Sequence, residues 1–458
     1  MRRELDPQRY FNWSPPSGPK IVRQYEDQYN RISEILDQNQ EILTLAHKDL
    51  EVLTRPGKKG RKATYTSENA LRALIVHTLE CTSLRDTMVR LYHSAFLQGF
   101  ARFGPRQVMD FTFLDKCFKA IQPQTWLKIN DLLRGYAIGE GRVRGTYLRT
   151  DTTLVEANIH YPTDTSLLWD CWRVLSRLLK QARDIDPTFH NHRFHDRKVK
   201  ALYIFINRSH LSKPKTAKGA KPRKLRRAMK KLVRSVTKIL GVATEVAPLA
   251  RRSVDLALVG IGLELEKFCP PIRTVVQAAE RAQVQGEVVP AKDRIFSIFE
   301  PHVELIKRGK SRKPVEFGHM VVLGQSKEKF ITQYDVMAQR VADCLLTEKV
   351  LENHKEGFGS FPDVLAGDTG FCAEAEKMES IKKKVKIVAI PRRVSERADK
   401  DLKPWYSFRA GIEGSISVLK RAFGLLRCRF RGFKSFAASI GLAVFSHNLV
   451  LLATWPKG

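Results

Sequence analysis

The sequence predicts an α/β fold, in which a long helical region precedes strands that alternate with helices. From Tyr65 onward, apolar residues recur at the i, i+3, i+4 spacing of a helix. Residues 144–159 (RGTYLRTDTTLVEANI) are instead rich in β-branched and apolar side chains, which favours a strand. The segments DVLAGDTGF, CAEAEKMESIKKK and KVKIVAIP then indicate a strand, a helix and a strand in succession. We therefore expect a sheet with helices packed on it.

The composition points to a polyanionic partner. The 458 residues include 80 Lys and Arg against 48 Asp and Glu, for a net charge of +32. Such an excess favours nucleic acid, with a membrane surface as the alternative. The seven cysteines are scattered, and no C-x-x-C or Cys/His cluster has zinc spacing, so we expect reduced thiols in a cytoplasmic protein.

The termini predict no membrane segment. The first residues, MRRELDPQRYFNWSPP, contain no apolar stretch that would make a signal peptide. The longest apolar stretch, residues 439–455, is short for a bilayer span and is interrupted by His447 and Asn448. We expect it to form a buried terminal helix.

The N-terminal part divides into two regions. Residues 1–63 are polar and end in the basic RPGKKGRK, which predicts an arm and linker. Residues 64–140 predict a helical DNA-binding domain, with Thr66 or Ser67 capping one helix and Ser83 opening another through a capping box with Asp86. Two short helices across a three-residue turn match a helix-turn-helix in outline, although many other all-helical domains share this pattern.

A basic helical insertion, residues 164–312, separates a first strand region (141–163) from the remaining strands (313–458). Between positions 207 and 234 it holds twelve Lys or Arg and no acid. This run is either a solvated charged surface or a sequence-independent contact to the DNA backbone. The candidate contacts for the second alternative are Lys221, Arg223, Lys224, Arg226 and Arg227.

Three acids occupy special positions in the predicted elements. Asp151 interrupts the first strand, where its propensity is poor, and Asp368 follows a later strand, where open α/β sheets form their sites. Glu413 lies on a helix beyond the last strand. Chemistry on phosphodiesters needs carboxylates from different elements to bind Mg²⁺, so these three are the candidate catalytic and metal-binding residues.

The helix around Glu413 carries a narrow polar stripe. Tyr406, Arg409, Glu413 and Lys420 fall within about 60° of one another on a helical wheel. The stripe is either a solvated face with an Arg409–Glu413 ion pair or a surface that faces a polyanion and a cation. Gly411 and Gly414 flank Glu413 and each costs about 1 kcal/mol in a helix, which suggests a close approach by DNA, a metal or a neighbouring strand.

Tyr406, Arg409, Glu413 and Lys420 also carry a family resemblance. Their intervals match the Y-(2)-R-(3)-E-(6)-K signature of bacterial insertion-sequence transposases of the DDE type, including ISNCY-like members. The segments LRTDTTLVEANIHYPTDTSLLWD, VLAGDTGF and RAGIEGSISVLKRAFGLLRCRFRGF resemble the blocks around the three acids of that family. With FEPHVELIKRGKSRKPVEFGH, the resemblance spans roughly residues 66 to 455.

The resemblance implies an RNase H-like core, a mixed five-stranded sheet flanked by helices, with an N-terminal all-helical domain and the basic helical insertion. It implies that Asp151, Asp368 and Glu413 bind Mg²⁺ or Mn²⁺, with two ions in the site, while Tyr406, Arg409 and Lys420 hold DNA phosphates. It also implies cleavage at the terminal inverted repeats of an element and transfer of the 3′-hydroxyl into target DNA. The expected assembly is a homodimer on double-stranded DNA in the cytoplasm, associated with the nucleoid. Two alternatives remain at this stage: a non-catalytic DNA-binding protein from a decayed element, and an RNase H-like nuclease without strand transfer.

Overall fold

The computed structural model describes residues 18–54, 64–105, 107–211, 223–307, 314–393 and 400–455. The chain forms two compact units, one of residues 1–158 with 318–458 and the other of residues 159–317. The helices are α1 (Lys20–Gln38), α2 (Gln40–Leu50), α3 (Ser67–Leu79), α4 (Leu84–His93), α5 (Ala95–Phe100), α6 (Phe111–Ala120), α7 (Pro123–Gly139), α8 (Asp164–Ile185), α9 (Asp196–Leu211), α10 (Arg223–Arg251), α11 (Leu256–Glu280), α12 (Thr347–Phe358), α13 (Ala375–Lys384), α14 (Lys403–Ala422) and α15 (Phe433–Thr454). The strands are β1 (Tyr147–Glu156), β2 (Glu304–Lys307), β3 (Val315–Gln325), β4 (Ile331–Val336), β5 (Val364–Ala366) and β6 (Ile387–Ala389).

The N-terminal helices of the first unit begin where the sequence predicts. Thr66 caps α3 by accepting the Asn69 backbone N–H at 3.1 Å, and the Asn69 side chain accepts the Thr66 N–H in return. Ser83 caps α4 by accepting the N–H of Asp86 at 3.1 Å, but the predicted capping box is not reciprocal, because the Asp86 carboxylate accepts the Ser83 hydroxyl rather than the Ser83 backbone N–H. The capping residues predicted at these two starts are therefore confirmed.

Part of the segment expected to be a polar arm is folded instead. Residues 20–50 form α1 and α2, and the spacing of Tyr29, Ile32 and Leu36 places these side chains on one buried face. The Tyr29 hydroxyl also donates to the carboxylate of Glu80 at 2.8 Å. Apolar residues are sparse in α1, so the overall polarity of the segment led the sequence analysis to miss this buried face. The linker RPGKKGRK lies outside the described residues.

The sheet is mixed and open. Its strand order is β2-β3-β1-β5-β6, with β4 also paired to β3. The pairs β1–β3 and β3–β4 are antiparallel, whereas β1–β5 and β5–β6 are parallel. This α/β arrangement is compatible with an RNase H-like fold, but among the described residues the sheet has six strands rather than the expected five.

Helix α15 is the centre of the first unit. It is the single described helix that is long and apolar enough to cross a membrane, and 83% of its most apolar window is buried inside the protein. Its side chains pack against α1, α3 and α7 on one side and against the sheet on another. Asn448, in its middle, accepts the N–H of Ile331 at 3.0 Å and donates to the carbonyl of the same residue at 2.9 Å. The expectation of a buried terminal helix is confirmed.

The second unit is built mainly from the long helices α8, α9, α10 and α11. Helices α10 and α11 are joined by four residues and pack along each other around a core that includes Leu232, Ile239 and Ile272. On the outer side of α10, the cations Arg223, Lys224, Arg226 and Arg227 are exposed. The apolar and basic residues of this helix thus occupy opposite faces.

Candidate active site

Two of the predicted acids lie on neighbouring parallel strands. Asp151 is in β1, where its Oδ1 accepts the backbone N–H of Thr152 at 2.8 Å. Asp368 follows the end of β5 by two residues and accepts the N–H of Thr369 at 2.7 Å. Because β1 and β5 run parallel and adjacent, the end of β5 brings Asp368 to the side of β1.

Helix α14 brings the third acid to the same place, since it packs on both β1 and β5. The guanidinium of Arg409 contacts Asp151 Oδ2 at 3.0 Å, Glu413 Oε1 at 2.7 Å and Asp368 Oδ2 at 3.7 Å. Three carboxylates from three separate elements therefore share one cation. The Arg409–Glu413 pair expected for a solvated face exists, but its guanidinium is also turned towards the sheet.

Gly411 lets α14 approach β1. A Cβ atom at this position would lie 2.0 Å from Nη1 of Arg149, which leaves no room for any other residue without a shift. At Gly414 the same test finds nothing within 4 Å. The expected close approach by a neighbouring strand is thus found at Gly411, whereas Gly414 faces open space.

Arg149 is a site residue that the sequence analysis did not single out. Its Nε donates to Gln325 at 2.8 Å, its Nη1 donates to the carbonyl of Phe408 at 2.8 Å, and its guanidinium lies over the Phe408 ring. These contacts tie β1 to the first half of α14. Burial lowers the pKa of Arg149 to about 10, so it remains charged at neutral pH. Its position two residues before Asp151 on the same strand, and hence on the same face, is the signal that would have found it.

Asp343 is a second residue that sequence reasoning missed. Its Oδ2 accepts a hydrogen bond from the Thr152 hydroxyl at 3.3 Å, and the same oxygen lies 3.1 Å from where a Cβ of Gly370 would be. It therefore stands beside the residues that follow Asp151 and Asp368. No local sequence pattern predicts it, because it is the first residue of a short 3-10 turn, Asp343–Leu345, between β4 and α12.

Burial shapes the electrostatics of Asp151, whose side chain is only 15% exposed. Desolvation raises its pKa to about 6, and the nearby charges of Asp368 and Glu413 act in the same direction. The Arg409 guanidinium and the Thr152 N–H oppose this shift. Near neutral pH the carboxylate is ionised at a cost, which additional positive charge at the site would relieve.

The other predicted site residues are on α14 and α10, except for one that the structure does not describe. Tyr406 is on α14 one turn before Arg409 and is half-buried, and Lys420 is in the last turn of the same helix. Arg223, Lys224, Arg226 and Arg227 are on α10 in the second unit, and Lys221 lies outside the described residues.

The donor chemistry fits a divalent cation. Carboxylate oxygens are the ligands that Mg²⁺ and Mn²⁺ prefer, and all three acids already have an oxygen within 4 Å of one positive group. Among the described residues, no group of three His, Cys, Asp or Glu side chains is close enough together to coordinate a metal ion without rearrangement. The carboxylates are thus gathered around Arg409.

One comparison with known proteins gives a match. The family model described as a transposase DDE domain matches residues 303–449, which include Asp368, Arg409 and Glu413 but not Asp151. No curated protein and no solved structure matches the chain. Transposases with this domain act on DNA and generally use divalent metal ions. The chain carries a transposase DDE domain and is an enzyme of the DDE transposase type.

Proposed function

We propose that this protein is an insertion-sequence transposase of the Y-R-E-K signature group, ISNCY-like, which cleaves DNA at the ends of its element and joins the 3′-hydroxyl to target DNA. The observation that carries the proposal is the single guanidinium of Arg409 in contact with Asp151, Asp368 and Glu413. A non-catalytic DNA-binding protein would gain nothing from three carboxylates gathered at one point of a strongly basic chain.

In this proposal, Asp151, Asp368 and Glu413 hold two Mg²⁺ or Mn²⁺ ions. When bound, such ions activate an attacking oxygen and stabilise a leaving one. The strand β1 fixes Asp151, and the N–H of Thr369 orients the carboxylate of Asp368. Glu413 is the most exposed of the three, with 60% of its side chain accessible, so it can move towards a ligand at little cost.

DNA is held by positive groups around the acids. Arg409 and Lys420 would contact phosphates at the cut end by charge, and Tyr406 would do so through its hydroxyl. In the N-terminal region, α3 is almost fully buried, whereas α4 exposes Arg85, Val89 and Tyr92. If this helix pair reads DNA, α4 is therefore the helix that contacts it. Synapsis of two element ends favours a homodimer.

The test compares wild type with Asp151→Asn, Asp368→Asn and Glu413→Gln on a linear DNA that carries the inverted repeats flanking the coding sequence, with Mg²⁺ and a plasmid target. Each variant should lose cleavage but keep DNA binding, because a metal ligand is lost while the basic surfaces remain. The matched control is Asp363→Asn, because Asp363 lies just before β5 and pairs with Lys386 at 2.8 Å. It should cleave like wild type.

The outcomes separate the candidate functions. Near-normal cleavage by one of the three variants removes that residue from the site. Wild type that cleaves the ends but never joins them to the plasmid is an RNase H-like nuclease. Wild type that binds without cleaving is a DNA-binding protein only.

A further inference from the structure

A second feature of the first unit lies beyond the acid cluster. A cleft of about 670 Å³ opens between the end of α3 and the segment that follows α14. We call it the basic cleft; its lining includes Lys420, Arg421, Arg427 and Arg429 on one side and Cys81 and Thr82 on the other.

The charge of the basic cleft has one sign. Its described lining contains four Lys and Arg and no Asp or Glu. Another cleft of the same unit, between α2 and α7, is lined by Lys48 and Lys128 but also by Glu41 and Asp131. The general excess of positive charge therefore does not make every cleft basic. Like charges gathered around a concave surface favour an anion in it.

The basic cleft continues the face of α14 that bears Glu413. Lys420 lies seven residues after Glu413, which places it about 10 Å farther along the helix and within about 20° of the same direction. This distance corresponds to roughly three nucleotides of a duplex strand at 3.4 Å each. A DNA strand that runs from the three carboxylates along α14 would thus reach the basic cleft.

The floor of the basic cleft is already packed. Phe430 stacks on Phe118 with ring centroids 3.8 Å apart, so one face of its ring is already covered. Burial and the neighbouring Arg429 lower the pKa of His77 to about 4, which leaves this histidine neutral at physiological pH. The Lys and Arg side chains of the cleft, rather than its histidine or its aromatic ring, are therefore the groups that would bind a ligand. Such cations suit the phosphates of DNA.

We infer that the basic cleft binds the phosphodiester backbone of the DNA strand that runs through the catalytic site. This inference rests on the proposed function, because it takes the ligand to be the DNA that the acids cleave. Contact with backbone only means that binding is independent of sequence and sensitive to salt. The strand can belong to the element itself or to the DNA flanking it.

Cys81 provides a direct probe of the basic cleft. It lines the cleft and is the one cysteine of the seven that is exposed. We propose to measure its alkylation by N-ethylmaleimide with peptide-resolved mass spectrometry, on the full-length wild-type protein, with and without duplex DNA. Fluorescence anisotropy on the same samples shows when the DNA is saturating. One duplex ends at the cut site, and a second extends into the flank.

Saturating DNA should slow alkylation of Cys81 roughly ten-fold, because a bound strand excludes the reagent. Protection by both duplexes assigns the strand to the element, and protection by the extended duplex alone assigns it to the flank. Equal alkylation rates with and without bound DNA would overturn the inference. If wild type binds DNA and cleaves it with Mg²⁺ while Cys81 stays unprotected, the inference fails and the proposed function stands; if wild type binds without cleaving, the proposed function fails.

A charge variant gives an independent readout. Arg421→Gln with Arg429→Gln should reduce the slope of log affinity against log salt by about 2 units, at about 0.9 per phosphate contact. Lys48→Gln with Lys128→Gln removes the same charge from the mixed cleft and should leave the slope unchanged. If the slope falls equally in both double variants, the basic cleft contributes only to the overall electrostatic field of the protein and does not contact phosphates itself. The alkylation of Cys81 is measured on the wild-type protein, so it tests the inference even if the charge variant folds poorly.

Discussion

Replacing Asp151 by asparagine should make the protein more stable at pH 8. In the folded protein the Asp151 pKa is about 6, against an ordinary value of 3.8, because the carboxyl is buried. The native state thus binds this proton more tightly than the unfolded chain. Each pKa unit corresponds to about 1.36 kcal/mol, so ionisation of Asp151 lowers the free energy of unfolding by about 3 kcal/mol. The asparagine amide cannot ionise, and its carbonyl can still accept the Thr152 N–H.

The direction of the Asp151 pKa shift determines how the stability gained by Asp151→Asn depends on pH. The contribution of Asp151 to stability is complete below pH 3.8 and is lost as pH rises through about 6. Wild type and Asp151→Asn should therefore differ by about 3 kcal/mol at pH 8, by about half as much at pH 5, and not at all at still lower pH.

Urea denaturation at pH 8 and pH 5, with calorimetry to separate the transitions of the two units, measures this difference. Asp363→Asn is the control, because the Asp363 side chain is 45% exposed and pairs with Lys386; it should not stabilise the protein. Mg²⁺ should then raise the stability of wild type more than that of Asp151→Asn, since a ligand stabilises only the state that binds it. An Asp151→Asn variant that is equally stable or less stable at pH 8 would refute the reasoning.

Two further predictions concern the glycines of α14 and the basic helix α10. Thermal denaturation should show that Gly414→Ala stabilises by about 1 kcal/mol, because its Cβ meets nothing, whereas Gly411→Ala destabilises by about 1–3 kcal/mol through the clash with Arg149; effects of the same sign would contradict this account. Binding titrations over a range of salt should show weaker binding to all DNA sequences and a slope flatter by several units, at about 0.9 per contact, after five cations of the insertion are replaced by glutamine: Lys221, Arg223, Lys224, Arg226 and Arg227. An unchanged slope would mean that this run never touches phosphate, and a loss confined to one sequence would mean that it reads bases.

Local patterns predicted the elements well where the signal was strong. The cap at Ser83, the strands β1, β5 and β6 and the apolar helix α15 all lie where capping residues, strand-forming runs and hydropathy place them. The helices within residues 20–50 were not predicted, because one buried row of apolar residues in a polar segment changes its average hydropathy little.

The gathering of the acids could be anticipated only in part. Poor strand propensity singled out Asp151, strand-end placement singled out Asp368, and helical spacing singled out Glu413, but no local rule brings α14 onto β1 and β5. That contact depends on Gly411 and Arg149, which lie 262 positions apart in the sequence. Asp343 carries no local signal at all, because only the folded chain places its carboxylate beside Thr152.

Arg409 connects the electrostatics of the site with its proposed chemistry. Three carboxylates around one guanidinium carry a net negative charge when all are ionised. Burial raises the pKa of Asp151, the Arg409 guanidinium opposes this shift, and the charges of Asp368 and Glu413 add to it. A divalent cation among the same oxygens would supply twice the charge of the guanidinium and would relieve the imbalance more fully. A DNA phosphate, in turn, attracts Arg409 but repels the carboxylates. If DNA and metal bind at this site as proposed, both would favour the same rearrangement, in which Arg409 turns from the acids to the phosphate and leaves the carboxylate oxygens to the cation.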